Sequence, residues 1–264
     1  MAIDTEKHRR RLSNEPMSEF VNLKIKRQAG PESKPYWEEF RVRYRPNMNV
    51  IICLMDIRRN PVNSRGARST PVVWQQNCLE NVCGSCAMLI NGDARMACST
   101  LIDEIGAEVT LEPFTKFPVV RDLAIDRGRM FDALGRIKGW IEINGTHDLG
   151  PGPRVTPKVQ QEAYAISRCM TCGCCFEVCP NINPRNPFIG PAPVALAHYY
   201  NLHPSGAAQR DDRLQAMIGE GGVMNCSNAQ NCVEVCPKGI PLTEAIAKVK
   251  RDVTWHGLFA WLRE

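Results

Sequence analysis

The sequence predicts an α+β protein with a β-rich first half and a mostly helical second half. The 264 residues are enough for one or two domains. A hydrophobic content of 44% with 23% charged residues is typical of a chain that folds around a core. Apolar and polar residues alternate in parts of the first half, as they do in half-buried strands, whereas apolar residues recur at helical spacing in the second half.

The first half is predicted to open with two strands and a helix. Residues 20–26 and 38–44 alternate apolar and polar side chains and together favour a β-hairpin. Residues 49–58 have the pattern of a short helix, and residues 109–112 that of another strand.

The second half is predicted to consist mainly of helices. Residues 123–140 include apolar side chains at helical spacing, and turn-forming residues predict a loop over 144–153. Further helix-like segments occupy residues 155–168, 191–201, 209–219 and 241–252.

Composition divides the chain into three parts. Residues 1–18 are charged and are predicted to form a disordered tail. Composition changes near residues 113–118, so we expect a first domain over 19–117 and a second over 118–264.

Several functions are disfavoured by what the sequence lacks. No window approaches the roughly 18 apolar residues of a membrane-spanning helix, and the first 20 residues contain no apolar run of a secretory signal. Asp4 and Glu6 also disfavour a mitochondrial transit peptide. The net charge of +5 comes from scattered lysines and arginines, which usually form a solvated surface, and no nucleic-acid partner is predicted. Without a secretory or transit signal, the chain is expected to stay in a reducing compartment. Thirteen cysteines in such a compartment favour metal binding or redox chemistry over disulfides.

The first cysteine group has the spacing of a plant-type [2Fe–2S] site. Cys78, Cys83 and Cys86 follow the pattern C-x4-C-x2-C, and Cys98 supplies a fourth thiolate downstream. Thiolate sulfur is soft and suits iron–sulfide clusters. Gly84 lets the backbone wrap closely around such a cluster because it accepts a positive φ angle.

A hairpin is predicted to bring the fourth cysteine to the other three. Strands over 88–90 and 94–98 flank Asn91-Gly92, which is typical of a type I′ turn. This hairpin would place Cys98 beside Cys86. The strands, the helix and the cysteine loop together predict a β-grasp, plant-type ferredoxin-like domain.

Two later cysteine groups have the spacing of a bacterial two-cluster ferredoxin. Residues 169–180 follow C-x2-C-x2-C-x3-C-P, and in such proteins the last cysteine of each run binds the other cluster. Residues 226–237 follow the same pattern except that Ala229 replaces the middle cysteine. The second half is therefore predicted to be a bacterial-ferredoxin-like domain.

If the last cysteine of each run binds the cluster of the other run, the ligands of two clusters can be predicted. A [4Fe–4S] cluster is expected on four thiolates, those of Cys169, Cys172, Cys175 and Cys236. The second site has three thiolates because Ala229 cannot bind iron, and a [3Fe–4S] cluster is expected there. Its ligands are Cys179, Cys226 and Cys232.

The cysteines allow one other interpretation. Paired C-x2-C motifs can bind zinc, but the C-x2-C-x2-C-x3-C-P run contains more thiols than one zinc ion needs. Two cysteines are left without a cluster. Cys53 lies in an apolar run and is expected to be a buried core thiol, and Cys174 is expected to point away from the iron.

Three one-electron centres without a nucleotide-binding glycine motif predict an electron-transfer protein with no catalytic residue of its own. Iron–sulfur potentials depend on cluster type, hydrogen bonding and exposure, so one chain can order its centres by potential. Such a chain needs a two-electron donor such as a flavin and an acceptor such as a quinone.

The chain resembles the iron–sulfur subunits of succinate dehydrogenase and fumarate reductase. The similarity runs from about residue 20 to 250, and its motifs occupy residues 78–86, 90–98, 117–122, 169–180, 188–192 and 231–239. The resemblance implies that electrons pass from FAD in a flavoprotein subunit through [2Fe–2S], [4Fe–4S] and [3Fe–4S] to a membrane quinone. It also implies a membrane anchor with haem b, a position on the cytoplasmic face of the bacterial plasma membrane, and no dicarboxylate site in this chain.

One departure from the family's ubiquinone-using members concerns the quinone end. Those members resemble each other in a tryptophan shortly after a Cys-Pro pair and a histidine after the first cysteine of the last run. Here residues 180–184 read Pro-Asn-Ile-Asn-Pro, and the other position is Ser227. The sequence is more similar to the menaquinone-linked bacterial type with a single-chain, dihaem anchor.

Three alternatives stay open at this point. The complex could work in the direction of fumarate reduction, the chain could serve another flavin dehydrogenase, or it could be a soluble electron carrier. The terminal segment from Trp255 could lie at an anchor or membrane interface, or it could be a terminal helix packed on the core.

Overall fold

The computed structural model describes residues 18–142 and 152–259. The chain divides into two compact units, the first ending at Asp126 and the second beginning at Arg127. The predicted tail and most of the predicted 144–153 loop lie outside the described residues, and the predicted domain boundary at residues 117 and 118 stays a prediction.

The first unit is built around a five-stranded sheet in the order β2-β1-β5-β3-β4. The strands are β1 (Phe20–Arg27), β2 (Tyr36–Arg43), β3 (Ala87–Ile90), β4 (Asp93–Met96) and β5 (Glu108–Glu112). The helices are α1 (Val50–Arg59) and α2 (Ile102–Ile105). A small hairpin follows, with strands β6 (Val119–Arg121) and β7 (Ala124–Ile125).

This sheet confirms the predicted β-grasp fold. Strand β1 pairs antiparallel with β2 and parallel with β5, which is possible because α1 and the cysteine loop intervene. The alternation in β1 buries Val21, Leu23 and Ile25 on one face. Helix α1 begins at Asn49, whose side chain accepts a hydrogen bond from the backbone N–H of Ile52 at 2.9 Å.

The second unit confirms the prediction of a mostly helical half. Its helices are α3 (Gly128–Arg136), α4 (Pro157–Ser167), α5 (Cys174–Glu177), α6 (Pro191–Leu202), α7 (Arg210–Ala216), α8 (Asn231–Glu234) and α9 (Leu242–Leu258). Two-residue strands at Ile182–Asn183 and Asn186–Pro187 pair with each other. Within the described residues, no helix combines the length and apolar character needed to span a membrane.

The predicted helix over residues 123–140 is wrong over half of its length. Helix α3 covers only Gly128–Arg136, and the residues before it form the β6–β7 hairpin. Asp122 turns the chain between those strands with φ 49°. Its buried carboxylate accepts hydrogen bonds from Arg27, Gln28 and Val73. Lys138 adopts φ 48° directly after the helix and ends it. The contacts of Asp122 join residues far apart in sequence, and the positive φ angles are a property of the backbone. The spacing of apolar residues reveals neither.

A buried ion pair holds this hairpin against the sheet. Arg27 is 1% exposed, and its Nε donates to Asp122 at 3.0 Å. The same carboxylate accepts the backbone N–H groups of Gln28 at 3.1 Å and Val73 at 3.0 Å. Glu38 is a second anionic partner of Arg27.

Replacing Asp122 with alanine is expected to destabilise the chain by about 1–3 kcal/mol, because two backbone donors and part of the Arg27 guanidinium lose their acceptor while Glu38 still pairs with Arg27. Thermal unfolding of the full chain should start at a clearly lower temperature. Asp93→Ala is the matched control, since Asp93 pairs with Arg95 at an exposed site and its loss should cost less than about 1 kcal/mol. Equal effects of the two substitutions would contradict the stabilising role of the buried pair.

Candidate iron–sulfur centres

The loop that carries the first cysteine group directs its backbone N–H groups at sulfur. Cys78 Sγ accepts from the N–H groups of Glu80, Val82 and Cys83 at 3.4, 3.4 and 3.3 Å. Cys98 Sγ accepts from the N–H of Asn81 at 3.3 Å. Thiolates that bind iron carry negative charge, and such donors stabilise them.

Residues with positive φ angles shape this loop. Leu79, Asn81 and Gly84 have φ angles of 62°, 56° and 76°. Only glycine adopts this region without steric cost, so two of the three turns carry a conformational cost. These φ angles turn the backbone N–H groups of residues 80–83 toward the sulfurs of Cys78 and Cys98.

The predicted hairpin places the fourth cysteine next to the third. Ala87 pairs with Met96 in the β3–β4 ladder, and the N–H of Ala97 donates to the carbonyl of Cys86 at 3.1 Å. The Asn91-Gly92 turn has φ angles of 52° and 85°, as a type I′ turn requires. The structure therefore brings the four predicted [2Fe–2S] residues, Cys78, Cys83, Cys86 and Cys98, to one place in the first unit.

The thiols of this group differ in their ease of ionisation. Burial opposes ionisation of Cys83, but hydrogen bonds from the Ser85 side chain and from the backbone of Cys78 and Ser85 outweigh it and lower its pKa to about 6. Burial raises the pKa of Cys86 to about 12. The Cys83 thiol therefore ionises more readily than the Cys86 thiol.

A pocket in the second unit gathers the residues predicted for the [4Fe–4S] centre. It encloses about 370 Å³, part of it open to solvent. Five cysteines line it, namely Cys169, Cys172, Cys174, Cys175 and Cys236. Burial raises the pKa of Cys169 to about 11, whereas a hydrogen bond from the Cys174 thiol lowers that of Cys172 to about 7.

A second pocket gathers the residues predicted for the [3Fe–4S] centre. It spans about 280 Å³, part of it open to solvent, and its lining includes Cys179, Cys226, Cys232 and Ala229. The two pockets exchange cysteines between the runs, because Cys236 lines the first pocket and Cys179 lines the second. Helix α5 lies in the first run and α8 in the second, and the two helices are in contact.

The residues in all three places fit iron–sulfur clusters. Each place offers thiols as donors and at least one backbone N–H group that donates to a cysteine sulfur. The second pocket has a methyl group at Ala229 where the related run has a thiol, so it offers three cysteine sulfurs instead of four.

The two remaining cysteines differ in their surroundings. Cys53 is fully buried in α1, and burial raises its pKa to about 12, which confirms a core thiol. Cys174 lies closer to the predicted site than the sequence indicates, because it lines the pocket and its thiol contacts that of Cys172.

Replacing Cys174 with serine is expected to leave all three clusters in place, because four other cysteines line the same pocket. Iron content and the EPR spectra of the reduced and oxidised protein should match those of the wild type. Cys172→Ser, at the neighbouring thiol, should remove the [4Fe–4S] signal. Loss of that signal in Cys174→Ser would show that Cys174 is a ligand.

Two contacts around the second pocket were not predicted from the sequence. Lys250 in α9 donates to the carbonyl of Cys226 at 2.7 Å, and Asn231 donates to the carbonyl of Val178 at 3.3 Å. Both join segments that are distant in sequence, and no local pattern signals them.

Two family matches define the class of protein. Residues 22–132 match the 2Fe-2S iron-sulfur cluster binding domain, and residues 165–240 match the 4Fe-4S dicluster domain. The chain is thus an iron–sulfur protein that carries 2Fe-2S and 4Fe-4S clusters, as the cysteine spacing predicts.

Whole-chain relatives give the particular family. The succinate dehydrogenase iron-sulfur subunit of Bacillus subtilis is 55% identical over 232 residues, which cover 88% of this chain and 92% of the relative. The fumarate reductase iron-sulfur subunit of Wolinella succinogenes is 31% identical over 224 residues, which cover 84% of this chain and 91% of the relative. The chain belongs to the family of iron–sulfur subunits of succinate dehydrogenase and fumarate reductase, and the predicted resemblance is confirmed.

A solved structure supports the fold. A chain of the Mycobacterium smegmatis Sdh1 complex in the apo form aligns with a TM-score of 0.74 at 24% identity. The alignment covers 89% of this chain and 95% of that chain. At this identity the likeness shows that the two chains share a fold.

Proposed function

We propose that this chain relays electrons from the FAD of a flavoprotein subunit to menaquinone at a membrane anchor that carries haem b. The family membership supports its role as the electron-transfer subunit of a succinate:quinone oxidoreductase. The observation that carries the proposal is the grouping of eleven cysteines into three places within one chain. When bound, the clusters supply three carriers that each accept and release one electron.

The proposed ligand sets follow the grouping of the cysteines. The [2Fe–2S] centre is held by Cys78, Cys83, Cys86 and Cys98. The [4Fe–4S] centre is held by Cys169, Cys172, Cys175 and Cys236. The [3Fe–4S] centre is held by Cys179, Cys226 and Cys232. The first set belongs to the proposed 19–117 domain and the other two belong to the proposed 118–264 domain.

The chain's own residues contribute the environment of these centres. Backbone N–H groups of residues 80–83 donate to ligand sulfurs and stabilise their negative charge. Lys250 fixes the carbonyl of Cys226 and places a cation beside the proposed [3Fe–4S] site. Such donors and charges favour the reduced form of a centre.

The end of α9 supports attachment to a membrane anchor. Trp255 and Phe259 stack with ring centroids 5.5 Å apart and an interplanar angle of 7°, yet they are 54% and 43% exposed. Exposed aromatic pairs of this kind suit an interface that is partly apolar. We further propose that this attachment holds the chain on the cytoplasmic face of the bacterial plasma membrane.

Purification of the complex from membranes tests the proposal. We expect the chain to copurify with a flavoprotein that contains covalent FAD and with an anchor that contains haem b. The preparation should reduce dyes with succinate, and the quinone extracted from it should be menaquinone. Each chain should contain about nine iron atoms, the sum of the three clusters.

Each failure of this experiment has a distinct meaning. A soluble chain without flavoprotein would favour an independent electron carrier. Flavoprotein without succinate-dependent dye reduction would favour another flavin dehydrogenase. Zinc in place of iron would contradict the ligand sets, and ubiquinone as the extracted quinone would contradict the proposed acceptor.

A further inference from the structure

Two groups of Ser85 reach the sulfur of Cys83 in the first unit. The backbone N–H of Ser85 donates to Cys83 Sγ at 3.5 Å, and the Ser85 side-chain oxygen lies 3.4 Å from the same sulfur. Gly84 stands between them with a φ angle of 76°, a conformation that folds the chain back at this point. This tight turn brings a hydroxyl group against one of the proposed ligand sulfurs.

The proton of this contact comes from the serine once iron is bound. A free cysteine thiol can donate its own proton to the hydroxyl oxygen, but a cysteine that binds iron is a thiolate and has no proton to donate. The Cys83 sulfur then only accepts, so the Ser85 hydroxyl is the donor. A hydrogen bond to such a charged acceptor is stronger than one between two neutral groups.

Ser85 differs from the other donors of this loop because it uses a side chain. In the part of the first unit that the structure describes, it carries the only hydroxyl that hydrogen-bonds to a sulfur of this cysteine group. Cys78 Sγ and Cys98 Sγ accept from backbone N–H groups at 3.3–3.4 Å. Backbone donors persist whatever the side chain is, so a substitution at Ser85 can remove one donor and leave the others in place.

We propose that the Ser85 hydroxyl raises the reduction potential of the [2Fe–2S] centre by donating a hydrogen bond to Cys83 Sγ. The inference rests on the proposed ligands Cys78, Cys83, Cys86 and Cys98. One electron added to a cluster on four thiolates increases its negative charge, so a donor to sulfur stabilises the reduced form more than the oxidised form. No covalent bond of the protein changes in this step. Ser85 acts through the Cys83 sulfur and binds no iron itself.

Two pairs of proteins isolate the hydroxyl group. Ser85→Ala removes it from the wild type and retains the backbone N–H that donates to Cys83 Sγ. Ser85→Thr and Ser85→Val have side chains of nearly the same shape, and only threonine carries a hydroxyl. The second methyl group of valine also occupies the place that a water molecule could take. Ser99→Ala is the matched control, because Ser99 follows the proposed ligand Cys98 but its hydroxyl donates to the carbonyl of Met96 at 3.4 Å.

The reduction potentials of the three centres are measured in the intact complex by EPR-monitored redox titration. We expect reduction of the [2Fe–2S] centre to become about three- to tenfold less favourable in Ser85→Ala than in the wild type, which is about 28 to 59 mV for one electron. Ser85→Val should differ from Ser85→Thr in the same direction, and Ser85→Thr should lie close to the wild type. The other two centres and the Ser99→Ala control should keep the wild-type potentials.

The outcomes separate this inference from the proposal on which it rests. Absence of a [2Fe–2S] signal from the wild-type complex would contradict the ligand assignment. A wild-type signal with an unchanged potential in Ser85→Ala, and equal potentials in Ser85→Thr and Ser85→Val, would overturn the role of Ser85 alone. A shift of all three centres would also overturn it, because it would indicate a general structural change.

The two pairs also cover a failure of assembly. If only one of Ser85→Ala and Ser85→Val retains the [2Fe–2S] centre, the potential of that variant decides against its own reference. If both lose the centre while Ser85→Thr retains it, the hydroxyl is a requirement for assembly, and its role in setting the potential is overturned.

Discussion

Ala229→Cys is expected to convert the proposed [3Fe–4S] centre into a [4Fe–4S] centre. Ala229 lines the pocket with Cys179, Cys226 and Cys232, and it occupies the position of the missing middle cysteine of the run. A thiolate there completes a four-sulfur donor set and gives a fourth iron a ligand. The chain should then contain about one more iron atom.

EPR spectroscopy measures this conversion directly. An oxidised [3Fe–4S] centre is paramagnetic, whereas an oxidised [4Fe–4S] centre of the ferredoxin type is diamagnetic, so the oxidised-state signal should disappear. Ala229→Val is the control, because it adds bulk at the same position without a ligand atom and should retain the signal. An undiminished signal in Ala229→Cys would show that position 229 does not face the missing iron.

Cys83→Ser is expected to abolish or severely perturb the [2Fe–2S] centre while leaving the other two centres intact. Cys83 has the lowered pKa of its group, and serine oxygen is a harder donor that binds iron–sulfide clusters less well. The cysteines proposed to bind the other two centres all belong to the second unit. Spectra of the [4Fe–4S] and [3Fe–4S] centres should therefore resemble those of the wild type.

Succinate-dependent reduction of the last centre provides a second measurement. It should fall by at least about tenfold in Cys83→Ser, since the relay is interrupted near its start, while chemical reduction of the other centres should be unaffected. Cys53→Ala is the matched control, because Cys53 is a buried core thiol of the same unit. Loss of all three centres in Cys83→Ser would contradict the independence of the first site.

Local patterns predicted most of the elements that surround the first cysteine group. Alternation located β1 and β2, and the Asn91-Gly92 turn located the hairpin that returns Cys98 to Cys86. These features depend on neighbouring residues, for which sequence periodicity is informative. The exchange of Cys179 and Cys236 between pockets was also expected, because the spacing of the runs indicates it.

Features that depend on distant partners were missed. The buried Asp122 turns the chain because of Arg27, almost a hundred residues earlier, so the 123–140 helix was extended too far. Arg213 is 0% exposed because its guanidinium donates to acceptors in several segments, among them the carbonyl of Trp140 at 2.7 Å, 73 residues earlier. Its sequence surroundings are rich in charged residues, which is typical of a surface helix. The proximity of Cys174 to Cys172 depends on backbone angles, with Gly173 at φ 89°.

The exchange of cysteines between the two runs has a consequence for biosynthesis. On the proposed ligand sets, the thiolates of the first site are complete at Cys98 and the sheet that holds its hairpin is complete at β5, so this site can be filled before the second unit has been translated. Neither of the other two sites can be completed before Cys232 and Cys236 have left the ribosome. Truncation before residue 226 should therefore yield a polypeptide that retains the binuclear centre and has lost both of its larger inorganic groups.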